Sequence, residues 1–168
     1  MVLNSGLFAE LANLPGSLLQ AFGVDSMDEK LRELFAKSRL IYSKEDFLVV
    51  GLPGVANVAI GGEGFSAVIK ERGETTLILP VEKWLELEPT LKNAKVEGPF
   101  RVLMFDAPVD WSAVGFMAEI SRLLADEGVN AGAISAHTHS HLLVRSSDLE
   151  KAVKAIERLI LECKGEKV

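Results

Sequence analysis

The stretch Phe100-Arg-Val-Leu-Met-Phe105, followed by the helical spacing of Ala113, Met117, Ile120 and Leu124, the strand-like run Val129 to Ala136, and then His141-Leu-Leu-Val144, decides the fold. Its first piece is mostly apolar and is broken by Ala107-Pro108. Apolar residues recurring every three to four positions over 111–126 predict an amphipathic helix, and Gly128 suits its stop. The two later runs read as strands. Ser147-Asp-Leu-Glu150 has the form of a capping box and opens a final helix striped by Leu149, Ala152, Val153, Ile156, Leu159 and Ile160. The order is βαββα. Two helices with one apolar stripe each need one sheet face to cover. The unit is short of a fourth strand, which a segment of residues 38–80 or a partner subunit would supply.

Working upstream, residues 38–98 are rich in strand signals. Phe47-Leu-Val-Val50, Phe65-Ser-Ala-Val-Ile69 and Thr75-Thr-Leu-Ile-Leu79 are short apolar or β-branched runs. Arg72-Gly73 reads as a hairpin turn, and Gly61, Gly62 and Gly64 punctuate the loop before Phe65. Pro80 and Pro89 bracket a short amphipathic piece around Trp84. Residues 1–37 read as a helical arm. Leu7, Leu11 and Leu14 share one helical face up to Pro15-Gly16, and Ser26-Met-Asp-Glu29 has the form of a second capping box before Met27, Leu31, Leu34 and Phe35. The arm either packs on the main body or clasps a second copy.

The 168 residues are 48% hydrophobic and 25% charged, an ordinary globular balance, and the net charge of −6 argues against nucleic acid as the main partner. The N-terminus lacks a basic start and a long apolar core, and no stretch approaches the ~20 apolar residues of a membrane span, so a cytoplasmic protein without membrane contact is expected. The single cysteine, Cys163, excludes an intramolecular disulfide and fits a reducing compartment. No phosphate-binding glycine loop, nucleophile elbow or zinc-protease motif is present, so no enzyme activity and no cofactor are expected.

Two constellations carry chemistry. The loop Asp106-Ala-Pro-Val-Asp110 feeds into a helix whose first N–H groups lack partners and carry partial positive charge, which suits a carboxylate. Asp110 or Ser112 can instead cap that helix. With a free amino acid as ligand, Asp110 would meet the ammonium while the helix start meets the carboxylate, and Gly115 permits close backbone approach. The second constellation is His137-Thr-His-Ser-His141, which holds all three histidines. His137, His139 and His141 form an alternative metal site if the hairpin bends, and otherwise a polar surface turn.

The segments Val102-Leu-Met-Phe-Asp-Ala-Pro-Val-Asp-Trp-Ser-Ala-Val-Gly115, Leu124-Ala-Asp-Glu-Gly-Val-Asn-Ala-Gly-Ala-Ile-Ser135 and His141-Leu-Leu-Val144 together resemble the ACT domain. The likeness is to small tandem-ACT proteins related to aspartokinase regulatory domains and cytosolic arginine sensors. Phe47-Leu-Val-Val-Gly-Leu52, Phe65-Ser-Ala-Val-Ile69 and Glu74-Thr-Thr-Leu-Ile-Leu-Pro80 resemble a degenerate first repeat, and Ser140 stands where relatives often carry an Asp. The resemblance implies an α+β fold of ferredoxin-like ACT units on an antiparallel sheet. Its expected divisions are a helical arm (1–37), a degenerate first unit (38–98) and a second ACT unit (99–163). It implies a regulatory, allosteric homodimer that binds a small effector such as an amino acid. The site would comprise Asp110, Trp111, Ser112, Ala113, Val114 and Gly115, with Ile134, Ser135 and Ala136 on the opposing side. The rival readings are a metal-binding module and a ligand-free structural or interaction module.

Overall fold

In the computed structural model, which describes residues 27–106 and 113–166, the chain opens with helix α1 (Glu29–Lys37) and strands β1 (Arg39–Tyr42), β2 (Phe47–Pro53), β3 (Ala67–Glu71) and β4 (Glu74–Pro80). Helix α2 (Val81–Leu87), strand β5 (Lys95–Asp106), helix α3 (Phe116–Asp126), strands β6 (Ala131–Ser135) and β7 (Ser140–Arg145), and helix α4 (Leu149–Lys164) follow. The strands form one antiparallel sheet in the order β3-β4-β2-β5-β7-β6. This is an α+β fold with the ferredoxin-like arrangement of an ACT domain.

Strand β5 is the axis of the sheet. One of its edges carries β7 from Phe100 to Met104. The other carries β2 along Lys95–Phe100 and then β1 along Leu103–Asp106. Ser43 bridges the gap between β2 and β1. Its N–H donates to the Val102 carbonyl at 2.8 Å, its hydroxyl accepts from the Val102 N–H at 3.1 Å, and its carbonyl accepts from Arg101 Nε at 3.0 Å. The missing fourth strand is therefore β1, which precedes the unit in the chain. The four strands stand in the order β1–β5–β7–β6, and upstream β5–β2–β4–β3 repeats the same pattern around β2. Residues 54–66, between β2 and β3, form no helix. Their Ala56, Val58 and Ile60 pack on Val50, Leu52, Leu77, Leu79 and Trp84 instead.

Alternation along the strands sorts side chains onto two faces. Leu103 and Phe105 of β5 and Leu142 and Val144 of β7 point toward α1, α3 and α4. Phe35 stacks on Phe116 at 4.6 Å between centroids, and Phe105 meets Phe116 edge-on at 5.1 Å. Burying each of these rings contributes about 1.5–3 kcal/mol. The register Leu48↔Leu79 and Val50↔Leu77 puts the α2 cluster on that same face. The opposite face has no helix among the described residues. It carries Phe47, Ile78, Val102 and Leu143, partly covered by Phe65 and Ala67.

Three local expectations are corrected. The helix expected over 111–126 starts at Phe116, because Gly115 adopts φ 91° and sets Ala113 and Val114 outside it. At α1 the capping role belongs to Asp28, whose carboxylate accepts the Lys30 N–H at 2.9 Å; Ser26 lies outside the described residues. The Ser147 box does not form. Ser146–Asp148 make a 3₁₀ turn, α4 starts at Leu149 without a side-chain cap, and Ser146 Oγ is engaged by Asp46 Oδ1 at 2.6 Å. The Arg72-Gly73 hairpin turn and the Gly128 stop form as expected, and the short amphipathic piece around Trp84 is the helix α2. The arm before residue 27 lies outside the described residues.

Candidate functional site

Strands β5 and β6 run parallel with β7 between them, because both pair antiparallel to it. Their C-terminal ends, and the start of α3, therefore lie at one end of the sheet. Asp110, Trp111 and Ser112 fall outside the described residues. Val114 is 89% exposed, while Ala113 packs against the helix-side core. Gly115 is the N-cap of α3, and among the described residues no side-chain hydrogen bond caps that helix. A Cβ at Gly115 would meet Leu31 Cδ2 of α1 at 3.4 Å, so this corner is close-fitting as well as bent.

The other expected residues divide. Ile134 packs on the face without helices, and Ala136 borders a cleft on that face. Ser135 is exposed at the end of β6. Ala113 and Ile134 thus join cores on opposite faces of the sheet. The end of the sheet is shared, but these side chains do not converge.

The histidines divide as well. His137 is exposed, and His139 is half-buried with Nδ1 2.8 Å from Thr138 Oγ1 in the β6–β7 turn. His141 is only 8% exposed. Among the described residues no group of three His, Cys, Asp or Glu side chains is placed to hold a metal ion. Cys163 packs its Sγ 3.9 Å from Met27 Sδ, and burial pushes its thiol pKa up.

Sequence reasoning missed the cleft on the helix-free face. The register Ile41↔Met104↔His141↔Ile134 sets four side chains in one row across β1, β5, β7 and β6. Over that row lies a cleft of about 560 Å³, bordered by Tyr42, Phe47, Phe65, Val102, Met104 and His141. Phe65 lies over the His141 ring at 4.4 Å between centroids and 31° between planes, and approaches Phe47 at 6.0 Å. His141 Nδ1 is buried without a hydrogen-bond partner. Burial, with a smaller push from His139, lowers the His141 pKa below its ordinary value, against a raising hydrogen bond to the Ile134 backbone. The His141/Leu142/Leu143/Val144 alternation was visible in the sequence. What covers His141 was not, because Phe65 lies far away in the chain.

A second cleft of about 290 Å³ lies on the same face, between Val49, Ile78, Phe100, Gly132 and Leu143. Arg145 stacks over Phe100 there, 4.5 Å from the ring centroid.

Residues 95–158 match the family model described as the ACT domain. Among solved structures, the chain is similar to a protein from Agrobacterium tumefaciens, with 18% identity and a TM-score of 0.62 over 74% of this chain and 90% of that one. It is similar to a protein of unknown function from Vibrio cholerae, described as a possible transport protein, with 20% identity and a TM-score of 0.62 over 80% and 99% of the two chains. It is also similar to the regulatory subunit of aspartate kinase from Thermus thermophilus, with 14% identity and a TM-score of 0.53 over 71% and 95%. At these identities the likeness is one of fold. No curated protein sequence matches. No helix among the described residues is long and apolar enough to cross a membrane.

Proposed function

We propose that this protein is a small-molecule-binding regulatory module whose ligand is an amino acid held at the turn between β5 and α3. The observation that carries the reading is the start of α3 at Gly115, which no side chain among the described residues caps, inside the stretch that matches the ACT domain. Free N–H groups at a helix start favour an anionic group, here the ligand's carboxylate. Asp110 supplies the counter-charge for the ammonium, and Ser112 a hydroxyl. Trp111, Ala113 and Val114 line the same turn, and Ile134, Ser135 and Ala136 belong to the neighbouring unit's side of the site. The likeness to aspartate kinase regulatory subunits supports a regulatory role over a catalytic one.

In this reading residues 38–98 are a degenerate first unit and 99–163 the second, with residues 1–37 as an arm. The repeated strand order around β2 and β5 supports that division. The two units share β5, so a ligand that prefers one packing of the second unit biases the first. The protein acts as a homodimer in the cytoplasm.

Thermal-shift measurements of the full chain against the twenty amino acids test the reading, since binding to the folded state raises apparent stability by about 2.7 kcal/mol at 100 times Kd. One amino acid should raise Tm, and Asp110→Ala or Ser112→Ala should weaken its calorimetric binding at least tenfold. A flat response to all twenty would favour the ligand-free structural module. Stoichiometric zinc or nickel after native purification would favour the histidine hairpin.

A further inference from the structure

Two apolar surfaces of this chain find no cover among the described residues. The first is the helix-free face of the sheet. The row Ile41–Met104–His141–Ile134 crosses four strands there, beside the wider of the two clefts. Ile41 stays exposed, and Phe65 and Ala67 cover the face only in part. The second surface is read from sequence, in residues 1–26, which lie outside the described residues. Leu7, Leu11 and Leu14 share one helical face, and Leu18, Leu19 and Phe22 follow. Glu10 and Asp25 are the only charged side chains of that segment. A short amphipathic helix draws its stability from packing of its apolar face. The segment has no Lys or Arg, so an anionic membrane surface offers it no electrostatic attraction.

The point of attachment brings the two surfaces together. Met27 Sδ lies 3.9 Å from Cys163 Sγ in the last turn of α4, and Leu31 reaches the Gly115 corner. Residues 1–26 therefore join the body at the end of the sheet that holds the α3 start. Met104 stands two residues before the end of β5, and Ile134 one before the end of β6. The attachment and the row thus share one end of the sheet, on opposite faces.

The lengths match. Crossing from the helix layer to the far face takes about 20 Å, a layer spacing of ~10 Å on each side of the sheet. The twelve residues 15–26 reach about 40 Å when extended. Residues 1–14 as a helix measure about 21 Å. That is enough to cross the row, whose three inter-strand steps span about 14 Å. A second copy seated on this face would leave the leucines of both chains unburied. It would also compete with a tethered segment whose effective concentration is of millimolar order.

We propose that residues 1–14 dock the Leu7, Leu11 and Leu14 stripe on the helix-free face of their own chain, over the row Ile41–Met104–His141–Ile134. The sheet then carries helices on both faces. This docking does not depend on an amino acid binding at the α3 start.

Methyl NMR of the full chain tests this, with Cys163→Ser and a nitroxide spin label at Asn13→Cys, which lies off the leucine stripe. The label should broaden the methyl signals of Ile41, Met104 and Ile134 at least twofold more than those of Ile120 and Ile156 on the helix side. Replacing the stripe by Leu7→Ser, Leu11→Ser and Leu14→Ser together should remove that difference. Spin-labelled chain without methyl labelling, mixed with methyl-labelled chain that carries no spin label, should leave Ile41, Met104 and Ile134 sharp. If Asn13→Cys does not fold, a label at Ser5→Cys gives the same answer. Equal or stronger broadening of Ile120 and Ile156, or no broadening at all, would overturn the proposal. A difference that survives loss of the three leucines would overturn it too. Broadening in the mixed sample would do the same, because the face would then be covered by the segment of a second copy.

Discussion

Thr75 and His141 are both buried polar side chains on the same sheet, one on each face, and the protein treats them differently. On the helix side Thr75 is fully enclosed, and its hydroxyl is used twice: it accepts the Ala56 N–H at 2.9 Å and donates to the Gly54 carbonyl at 3.0 Å. Those bonds tie the loop after β2 to the sheet where no helix stands. On the other face His141 has an unpaired nitrogen under a single phenylalanine. The helix side is closed and internally satisfied, as a core that carries stability should be. The other face keeps an unmet hydrogen bond beside a cleft.

The largest expected effect tests the closed side. Phe116→Ala removes the ring that joins Phe35 to Phe105, and should cost about 3–5 kcal/mol in urea denaturation. A loss under about 1 kcal/mol would mean that α3 is not locked to the sheet. Thr75→Val comes next. It preserves shape but orphans the Ala56 N–H and the Gly54 carbonyl, and should cost about 1–3 kcal/mol.

On the helix-free face the sign should reverse. His141→Leu removes the unpaired nitrogen and should leave stability unchanged or raise it by up to about 1 kcal/mol. A loss as large as that of Thr75→Val would show that His141 is a satisfied core residue and erase the contrast. The smallest effect is one of pH. Burial holds the folded-state pKa of His141 below its ordinary value, near 6.5 in the unfolded chain. Below about pH 6.5 the unfolded chain therefore takes up the proton first. Stability should fall as pH drops from about 6.5 toward the lowered folded pKa, then level off until the carboxylates titrate. His141→Leu should flatten that part of the profile.

Much of this architecture was legible from local patterns. The alternation in Phe100–Phe105 and His141–Val144, the stripe of α4 and the hairpin at Gly73 are set by neighbours in sequence, so periodicity reports them. Strand β1 escaped notice because Arg39-Leu-Ile-Tyr42 is four residues long, and its partner lies more than sixty positions away in β5. The need for it was visible as a missing strand. The start of α3 was misjudged because Ala113 continues the apolar spacing, while the break is made by the backbone at Gly115. At the candidate site, the turn after β5 could be chosen from residue types alone. The cleft over His141 could not, because its cover comes from the loop at Phe65 and its row from strands far apart in the chain.

The central claim is that an amino acid docks at the start of α3. The most direct measurement is a backbone amide NMR titration of the full chain with each of the twenty amino acids. The account predicts that one of them shifts the amides of Ala113, Val114, Gly115 and Phe116 together, with smaller shifts at Ile134 to Ala136. Shifts confined to other parts of the chain, or none with any amino acid, would contradict it.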